Sequence, residues 1–123
     1  MNLILDYRSR TPFYEQIKEE IVKAIARGEL HEGDRLPSLR QLSAELSVNL
    51  NTVKRSFDEL ELQGVVSTVQ GKGVFVSDRA AAQAYLAPAL AAAKTSMQRA
   101  KSLGAEKDQL LDLVNELYKE EEI

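Results

Sequence analysis

Two helical segments in the middle of this chain are separated by only a few residues. The first starts at Ser38, whose side chain has capping-box spacing to Gln41, and it ends near Ser47. Asn49 can already cap the next helix, so very little chain is left for the connection. A turn this tight between two helices is typical of a helix-turn-helix motif.

The apolar residues on both sides of this turn recur at three- and four-residue steps, as on the buried face of a helix. An earlier helix is predicted from Thr11, its cap, to Arg27, with Pro12 at its first position and Gly28 as its stop. The predicted buried faces comprise Tyr14, Ile17, Ile21 and Ile25 in this helix, Leu39, Leu42 and Leu46 in the second, and Val53, Phe57 and Leu60 in the third.

A β-hairpin is predicted directly after the third helix, which Gly64 ends. Residues 65–69 and 74–76 are rich in β-branched side chains, and a glycine-rich turn lies between them. Helix, helix, tight turn, helix and hairpin is the order of a winged helix-turn-helix. In that motif the helix after the turn presents its N-terminal residues to base edges in the major groove.

The last third of the chain is rich in Ala, Leu, Glu and Lys, which predicts helices. Asp78 is the predicted cap of a fourth helix, and Pro88 either kinks that helix or marks its true start. Gly104 ends it, and a fifth helix follows over about residues 106–120. We therefore expect a mostly helical α+β fold. A winged helix-turn-helix DNA-binding domain occupies residues 1–77, and a short two-helix dimerisation tail occupies residues 78–123.

The two tail helices carry more apolar surface than they can hide against each other. The simplest cover is a second copy of the chain related by a two-fold axis, so the tail is predicted to form a homodimer. The alternative is that the tail folds back on its own winged helix. The predicted dimerisation residues are Leu86, Leu90, Met97, Leu110, Val114 and Leu117, and Ala93 and Ala100 continue the seam of the fourth helix.

Composition excludes several classes of function. The 123 residues are 44% hydrophobic and 28% charged, as in an ordinary soluble domain, and no apolar run approaches the 18 residues of a membrane span. Nothing at the start resembles a secretory leader, so we expect a cytoplasmic protein without a membrane partner. There is no cysteine, and His31 is the only histidine. We therefore expect no metal, no cofactor and no enzymatic activity.

Positive charge is concentrated in one short zone. The chain has a net charge of −3, so a generally basic surface for nucleic acid is absent. Residues 35–57 nevertheless contain four cations, Arg35, Arg40, Lys54 and Arg55, against the single anion Glu45. On the third helix, Asn51, Thr52 and Arg55 point away from the predicted core. Amides, a hydroxyl and cations at the start of this helix suit contact with base edges and phosphates.

These features resemble the GntR family of bacterial transcription regulators. The matching stretches are Gly33 to Arg40, Leu42 with Ala44, Thr52-Val53, Leu60 with Gly64, and Gly71 to Val76. The Asn49-x-Asn51-Thr52-Val53 variant and the short tail resemble the YtrA subfamily. The resemblance covers about half of the chain closely, and its fixed spacing over three elements makes it specific.

The resemblance implies contacts with double-stranded DNA. Arg40 matches the family's arginine on the second helix, and Gly71 and Lys72 match the wing tip. The family positions that meet bases or phosphates are matched by Asn49, Asn51, Thr52 and Lys54. These residues, together with the outward-pointing Arg55, form the predicted DNA-binding set. Leu50 departs from the pattern, because many relatives carry arginine there and the YtrA type often carries proline. A leucine cannot read guanine, although it can touch a thymine methyl.

Most of these residues also have an ordinary structural interpretation. Arg40 can be a solvated side chain or pair with Glu45. Asn49 can be a helix cap alone, Thr52 can support the first turn of the helix, and the glycines can serve only the hairpin backbone. Lys54 and Arg55 can pair with Asp58 and Glu59 at helical spacing. These separate structural roles do not predict all of the observed spacings at once, so the joint spacing favours DNA binding.

The predicted function is a homodimeric, sequence-specific repressor of a palindromic operator. The family resemblance implies control of operons that often encode ABC transporters, and no effector ligand can be named. The alternative is a winged-helix module that binds a protein and no longer reads DNA, which the acidic net charge and Leu50 favour slightly.

Overall fold

The computed structural model describes residues 3–77, 81–82 and 84–119, which belong to two compact units that divide between Tyr85 and Leu86. The first unit contains α1 (Phe13–Ala26), α2 (Leu39–Leu46), α3 (Leu50–Leu62), β1 (Val66–Val69) and β2 (Gly73–Val76). The second contains α4 (Leu86–Ser102) and α5 (Lys107–Lys119). The described part of the chain is thus mostly helical with a two-stranded antiparallel sheet, and the predicted winged helix-turn-helix is confirmed.

The core of the first unit lies between its three helices and the hairpin. Most of the predicted inner faces are confirmed: the buried residues are Ile17, Ile21 and Ile25 on α1, Leu42 and Leu46 on α2, and Val53, Phe57 and Leu60 on α3. Tyr14 and Leu39, which are also predicted to lie on these faces, are half-buried. Val65, Val66 and Val76 close the core from the hairpin side. Burial of an aliphatic or aromatic side chain contributes about 1.5–3 kcal/mol, so these residues fix how the helices pack.

The tight turn between α2 and α3 is held by its own side chains. Ser38 and Gln41 form the predicted capping box at the start of α2. At its end Ser47 takes a left-handed conformation, with φ of 53°. Ser43 Oγ then donates to the Val48 carbonyl at 2.6 Å, and Asn49 Oδ1 accepts from the Asn51 amide at 2.8 Å. The chain therefore passes from α2 to α3 over a few residues without leaving the helix ends uncapped.

The predicted start of α1 is wrong by one residue. Pro12, not Thr11, is the N-cap of α1, and no side chain caps this end. The Gln16 amide donates to the Pro12 carbonyl at 3.1 Å, so the first helical hydrogen bond leaves Thr11 outside the helix. Gln16 stabilises this end instead, because its Nε2 donates to the Thr11 carbonyl at 2.8 Å and its Oε1 accepts from the Asp6 amide at 2.7 Å.

The hairpin is attached to the chain that enters α2. Its two strands pair from Val66 opposite Val76 to Val69 opposite Gly73. On the other edge of β2, the amides of Gly33 and Leu36 donate to the carbonyls of Val76 and Val74, and the Val76 amide donates to Asp34, each at 2.8 Å. A strand needs neighbours for stability, and this pairing gives the two-stranded wing a third partner.

The second unit consists of two helices joined by a short turn, and neither helix has a buried residue among those described. Pro88 lies in the first turn of α4, where its missing N–H costs little, so it marks the start of this helix and does not kink it. Gly104, with φ of 103°, separates α4 from α5, and the Glu106 amide donates to the Gln109 side chain at 2.8 Å. The predicted cap Asp78 lies outside the described residues. None of the described helices is long and apolar enough to span a bilayer.

Candidate nucleic-acid interface

The N-terminal half of α3 presents polar side chains to solvent. Val53 faces the core and is fully buried, whereas Asn51, Lys54 and Arg55 are exposed and Thr52 is half-buried. Leu50, which begins the helix, is 40% exposed. The structure therefore brings the predicted residues of this helix onto one open surface.

Asn49 serves as the cap of α3 and remains accessible. Its side-chain oxygen accepts from the Asn51 amide, as the structural interpretation predicts. The residue is nevertheless exposed, and the amide nitrogen of its side chain takes no part in the cap. Capping and contact with an external acceptor are thus compatible, because they use different atoms of one carboxamide.

Lys54 pairs with Asp58 one turn further along α3. The Nζ–Oδ2 distance is 2.7 Å, and both side chains are more than half exposed. An ion pair at this exposure contributes about 0–1 kcal/mol, because water and salt screen it. A phosphate group can therefore replace Asp58 as the partner of Lys54 at small cost.

Arg55 is engaged more extensively than Lys54. Its Nε donates to Glu59 at 3.0 Å, and its guanidinium carbon lies 3.6 Å from the centre of the Tyr14 ring. Ser56, fully buried, donates to the Tyr14 carbonyl at 2.9 Å. Arg55 and Ser56 thus attach α3 to α1.

A buried lysine completes this attachment, and the sequence reasoning missed it. Lys18 is only 4% exposed, and its Nζ lies 3.1 Å from Glu59 and 3.7 Å from Glu15. The sequence position of Lys18 indicates its burial, because Lys18 falls at helical spacing between Tyr14 and Ile21 on the buried face of the helix. A charge on such a face requires a partner, because burial of an unpaired ammonium is costly.

The pKa values of this pair shift in opposite directions. Burial is the largest influence on Lys18 and disfavours its charge, but the hydrogen bond to Glu59 and the nearby negative charges outweigh it and raise the pKa of Lys18. The hydrogen bond from Lys18 is also the main reason that the pKa of Glu59 lies below its usual range, and Arg55 adds to this effect. Both groups are therefore charged at neutral pH.

Arg40 lies in the first turn of α2 and is exposed. Among the described residues it forms no ion pair within 4.0 Å, so the predicted alternative of a pair with Glu45 is not seen. It lines an open groove of about 360 Å³ between the start of α2, the start of α3 and the wing. Leu50 and Val74 line the same groove.

The wing tip is built from glycines in unusual conformations. Gly71 and Gly73 have φ of 78° and 123°, which other residues rarely adopt, so both serve the hairpin backbone. Lys72 lies between them and is exposed. A cation is thus held at the projecting end of a hairpin beside α3.

The predicted dimerisation residues of the tail are open to solvent in the single chain. Leu86, Leu90, Met97 and Leu117 are 58%, 60%, 39% and 65% exposed. Leu110 and Val114 are half-buried. The second unit alone therefore leaves a substantial apolar surface uncovered.

The described residues contain no group of three or more histidine, cysteine, aspartate or glutamate side chains placed to hold a metal ion. His31, to which no role is assigned, lies at the surface beside Asp34.

Comparison with known proteins agrees with this architecture. The pattern of the family described as bacterial regulatory proteins, gntR family, matches residues 13–76. The HTH-type transcriptional repressor YtrA of Bacillus subtilis (strain 168) is 40% identical over 76 residues, which span 62% of this chain but only 58% of YtrA.

Two solved structures are informative. A GntR family transcriptional regulator from Listeria monocytogenes has a TM-score of 0.77 at 28% identity and covers 89% of this chain and 98% of its own. The AraR DNA-binding domain, solved in complex with operator ORE1, has a TM-score of 0.54 at 30% identity, over 63% of this chain and 94% of AraR's. Since the family pattern matches more than half of its residues, this chain belongs to the gntR family of bacterial regulatory proteins and is of the YtrA type, as the sequence resemblance predicted.

Proposed function

We propose that this protein is a transcriptional repressor that binds a palindromic DNA operator as a homodimer. The observation that carries the proposal is the open surface at the start of α3, where Asn51 and Lys54 lie exposed. Arg40 and the wing belong to the same side of the first unit, since they line one groove with Leu50. The likeness to a domain solved on its operator supports this function.

The proposed contacts follow from the chemistry of each group. Asn51 and Asn49 offer amide groups to base edges, whereas Arg40, Lys54 and Lys72 offer cations to phosphates. Thr52 and the Gly71 backbone approach the DNA beside them, and Leu50 meets an apolar group such as a thymine methyl. Arg55 lies on the same helix, and its cation–π contact with Tyr14 orients α3 and thereby the DNA-binding residues on it.

The second unit joins the two copies in this proposal. Leu86, Leu90 and Met97 on α4 and Leu110, Val114 and Leu117 on α5 are the apolar residues that a partner would cover. One recognition helix contacts only a few base pairs, and two linked copies gain affinity because the second binds at a high effective concentration. The protein then acts in the cytoplasm, and operons for transporters are the proposed targets.

Selection of bound sequences from a random DNA pool, with the full chain, tests this function. We expect enrichment of a palindrome with two half-sites. Arg40→Ala and Lys54→Ala should each abolish binding of the enriched DNA in an assay at about 150 mM salt. The circular dichroism spectrum of each variant should stay unchanged. Because several phosphates are contacted in each subunit, the slope of log affinity against log salt should be roughly −5.

Recovery of no enriched sequence, together with a flat salt dependence, would contradict DNA binding. The winged helix would then be a protein-interaction module, and capture of a protein through the same Arg40 and Lys54 surface would support that alternative.

A further inference from the structure

Arg35 is a cation that the DNA-binding set does not include, although the wing holds it in place. The chain on both sides of it is bonded to β2, through the Asp34 carbonyl to the Val76 amide and through the Leu36 amide to the Val74 carbonyl, each at 2.8 Å. Arg35 itself lies opposite Phe75 in a β-bridge. Leu36 is buried, and Arg35, one residue before it, points to solvent.

The Arg35 side chain runs across the backbone of the wing. A β-carbon added to Gly73 would lie 2.9 Å from Arg35 Nε, which is too close for a methyl group. Gly73 therefore serves two purposes: it allows φ of 123°, and it leaves room for the arginine. The guanidinium is supported by the wing, so less side-chain entropy is lost when it binds a ligand.

Arg35 and Arg40 line the same groove. The charged side chains of this groove are therefore both cationic, which favours an anionic ligand. Its apolar lining comprises Leu36, Leu39, Leu50 and Val74, and no carboxylate lines it among the described residues. Neither arginine has an ion-pair partner within 4.0 Å in the described part of the chain. Glu45 lines a different depression, which shares Arg35 and Leu36 with this groove.

We propose that Arg35 binds a backbone phosphate of DNA that lies in the groove between the wing and the start of α2. A deoxyribose–phosphate segment has an apolar sugar face and an anionic edge, which match the apolar lining and the two guanidinium groups. The proposal rests on the proposed DNA-binding function and adds to it a contact outside the helix-turn-helix and the wing tip. A phosphate contact carries no sequence information, so Arg35 contributes affinity and not base choice.

Fluorescence anisotropy with the full chain tests this contact on two duplexes, the selected operator and an unrelated sequence. Arg35→Gln should weaken binding to both by the same factor, about tenfold, and reduce the magnitude of the salt slope by about one per subunit. Arg35→Lys, which retains the charge, should retain the slope. Arg27→Gln removes an exposed arginine outside the groove and should change neither quantity.

A second variant probes the support that the wing gives to Arg35. Gly73→Ala displaces the guanidinium in the wild-type background, whereas no guanidinium is present when residue 35 is glutamine. Its effect on affinity should therefore be smaller in the Arg35→Gln background, and thermal unfolding shows whether each variant is folded.

The possible results separate this proposal from the function on which it rests. If Arg35→Gln matches Arg27→Gln, or weakens only the operator complex, the phosphate contact is refuted while DNA binding stands. If inorganic phosphate binding depends on Arg35 but DNA binding does not, the groove takes a free anion and the proposal also fails. If the wild-type chain binds neither duplex, both proposals fall together.

Discussion

The guanidinium carbon of Arg55 lies 3.6 Å from the centre of the Tyr14 ring, so a cation of α3 rests on an aromatic face of α1. Glu59 accepts from Arg55 at 3.0 Å and from the buried Lys18 at 3.1 Å, which links the two helices a second time. The orientation of the proposed recognition helix therefore depends on α1 as well as on the turn that precedes it.

Arg55→Ala should loosen this attachment without removing a phosphate contact. We expect the free energy of unfolding to fall by about 1 kcal/mol, because an exposed cation–π pair is worth about 0.5–1 kcal/mol. Urea denaturation measures this loss. The salt slope of operator binding should stay unchanged, whereas Lys54→Ala reduces it by about one per subunit. An equal reduction by both variants would place Arg55 on a phosphate.

Glu59→Gln should make folding stability less dependent on pH in the acid range. The folded pKa of Glu59 is lowered, so its charge stabilises the fold above the unfolded pKa of about 4.3. That contribution is lost as pH falls through the folded pKa. Urea denaturation should show wild type more stable than Glu59→Gln at pH 7, with the difference closing below about pH 4.

Lys18→Met provides the control for this pH dependence, since it removes the main cause of the Glu59 shift. In that background the substitution of Glu59 should have a much smaller effect at every pH. A gap between wild type and Glu59→Gln that persists unchanged at pH 3 would show that the ion pair is not its source.

Ser38→Ala and Thr11→Ala should differ, although both remove a hydroxyl group before a helix. Ser38 accepts from the Gln41 amide at 3.1 Å, and the loss of such a cap costs about 1 kcal/mol. No side chain caps α1, so Thr11→Ala should change stability by less than about 0.5 kcal/mol. Thermal unfolding of the two variants compares them, and an equal loss would restore Thr11 as a cap.

Leu90→Glu should convert the proposed homodimer to a monomer. Leu90 is 60% exposed in the single chain and belongs to the predicted seam of α4. A charge buried at an interface is costly, and without the partner the second half-site loses its effective concentration, so operator affinity should fall at least about 100-fold. Light scattering measures the mass. Leu103→Glu, at an exposed leucine outside the seam, should leave the mass unchanged.

The helices of the first unit could be predicted because each places its apolar residues at helical spacing on one face. Ile21 and Phe57 illustrate this, since periodicity alone predicts that both are buried. The caps Ser38 and Asn49 follow equally from local chemistry, because each bonds to an amide two or three residues away. Thr11 is not the cap because the first helical hydrogen bond of α1 is accepted by the Pro12 carbonyl, a choice that residue types alone do not indicate.

The contacts that join distant parts of the chain could not be predicted. Lys18 and Glu59 are 41 residues apart, and Ser56 and Tyr14 are 42 residues apart. Arg35 became a candidate only when the structure placed it against Gly73, a contact that no local pattern indicates. Exposure of Asn51 and Lys54 follows from helical geometry, whereas the DNA contact of each stays a prediction.

The hydrogen bonds from the amides of Gly33, Leu36 and Val76 couple the wing to the chain that enters α2. Because they all cross the same edge of β2, the wing cannot peel away without breaking them as a group, and these three protons should exchange with solvent at a common slow rate. A pull on the wing tip is therefore transmitted to the base of α2 instead of being absorbed by a hinge. The hairpin is thus bonded to the chain before α2 along most of β2, and only its turn at Gly71 and Lys72 projects beyond these bonds.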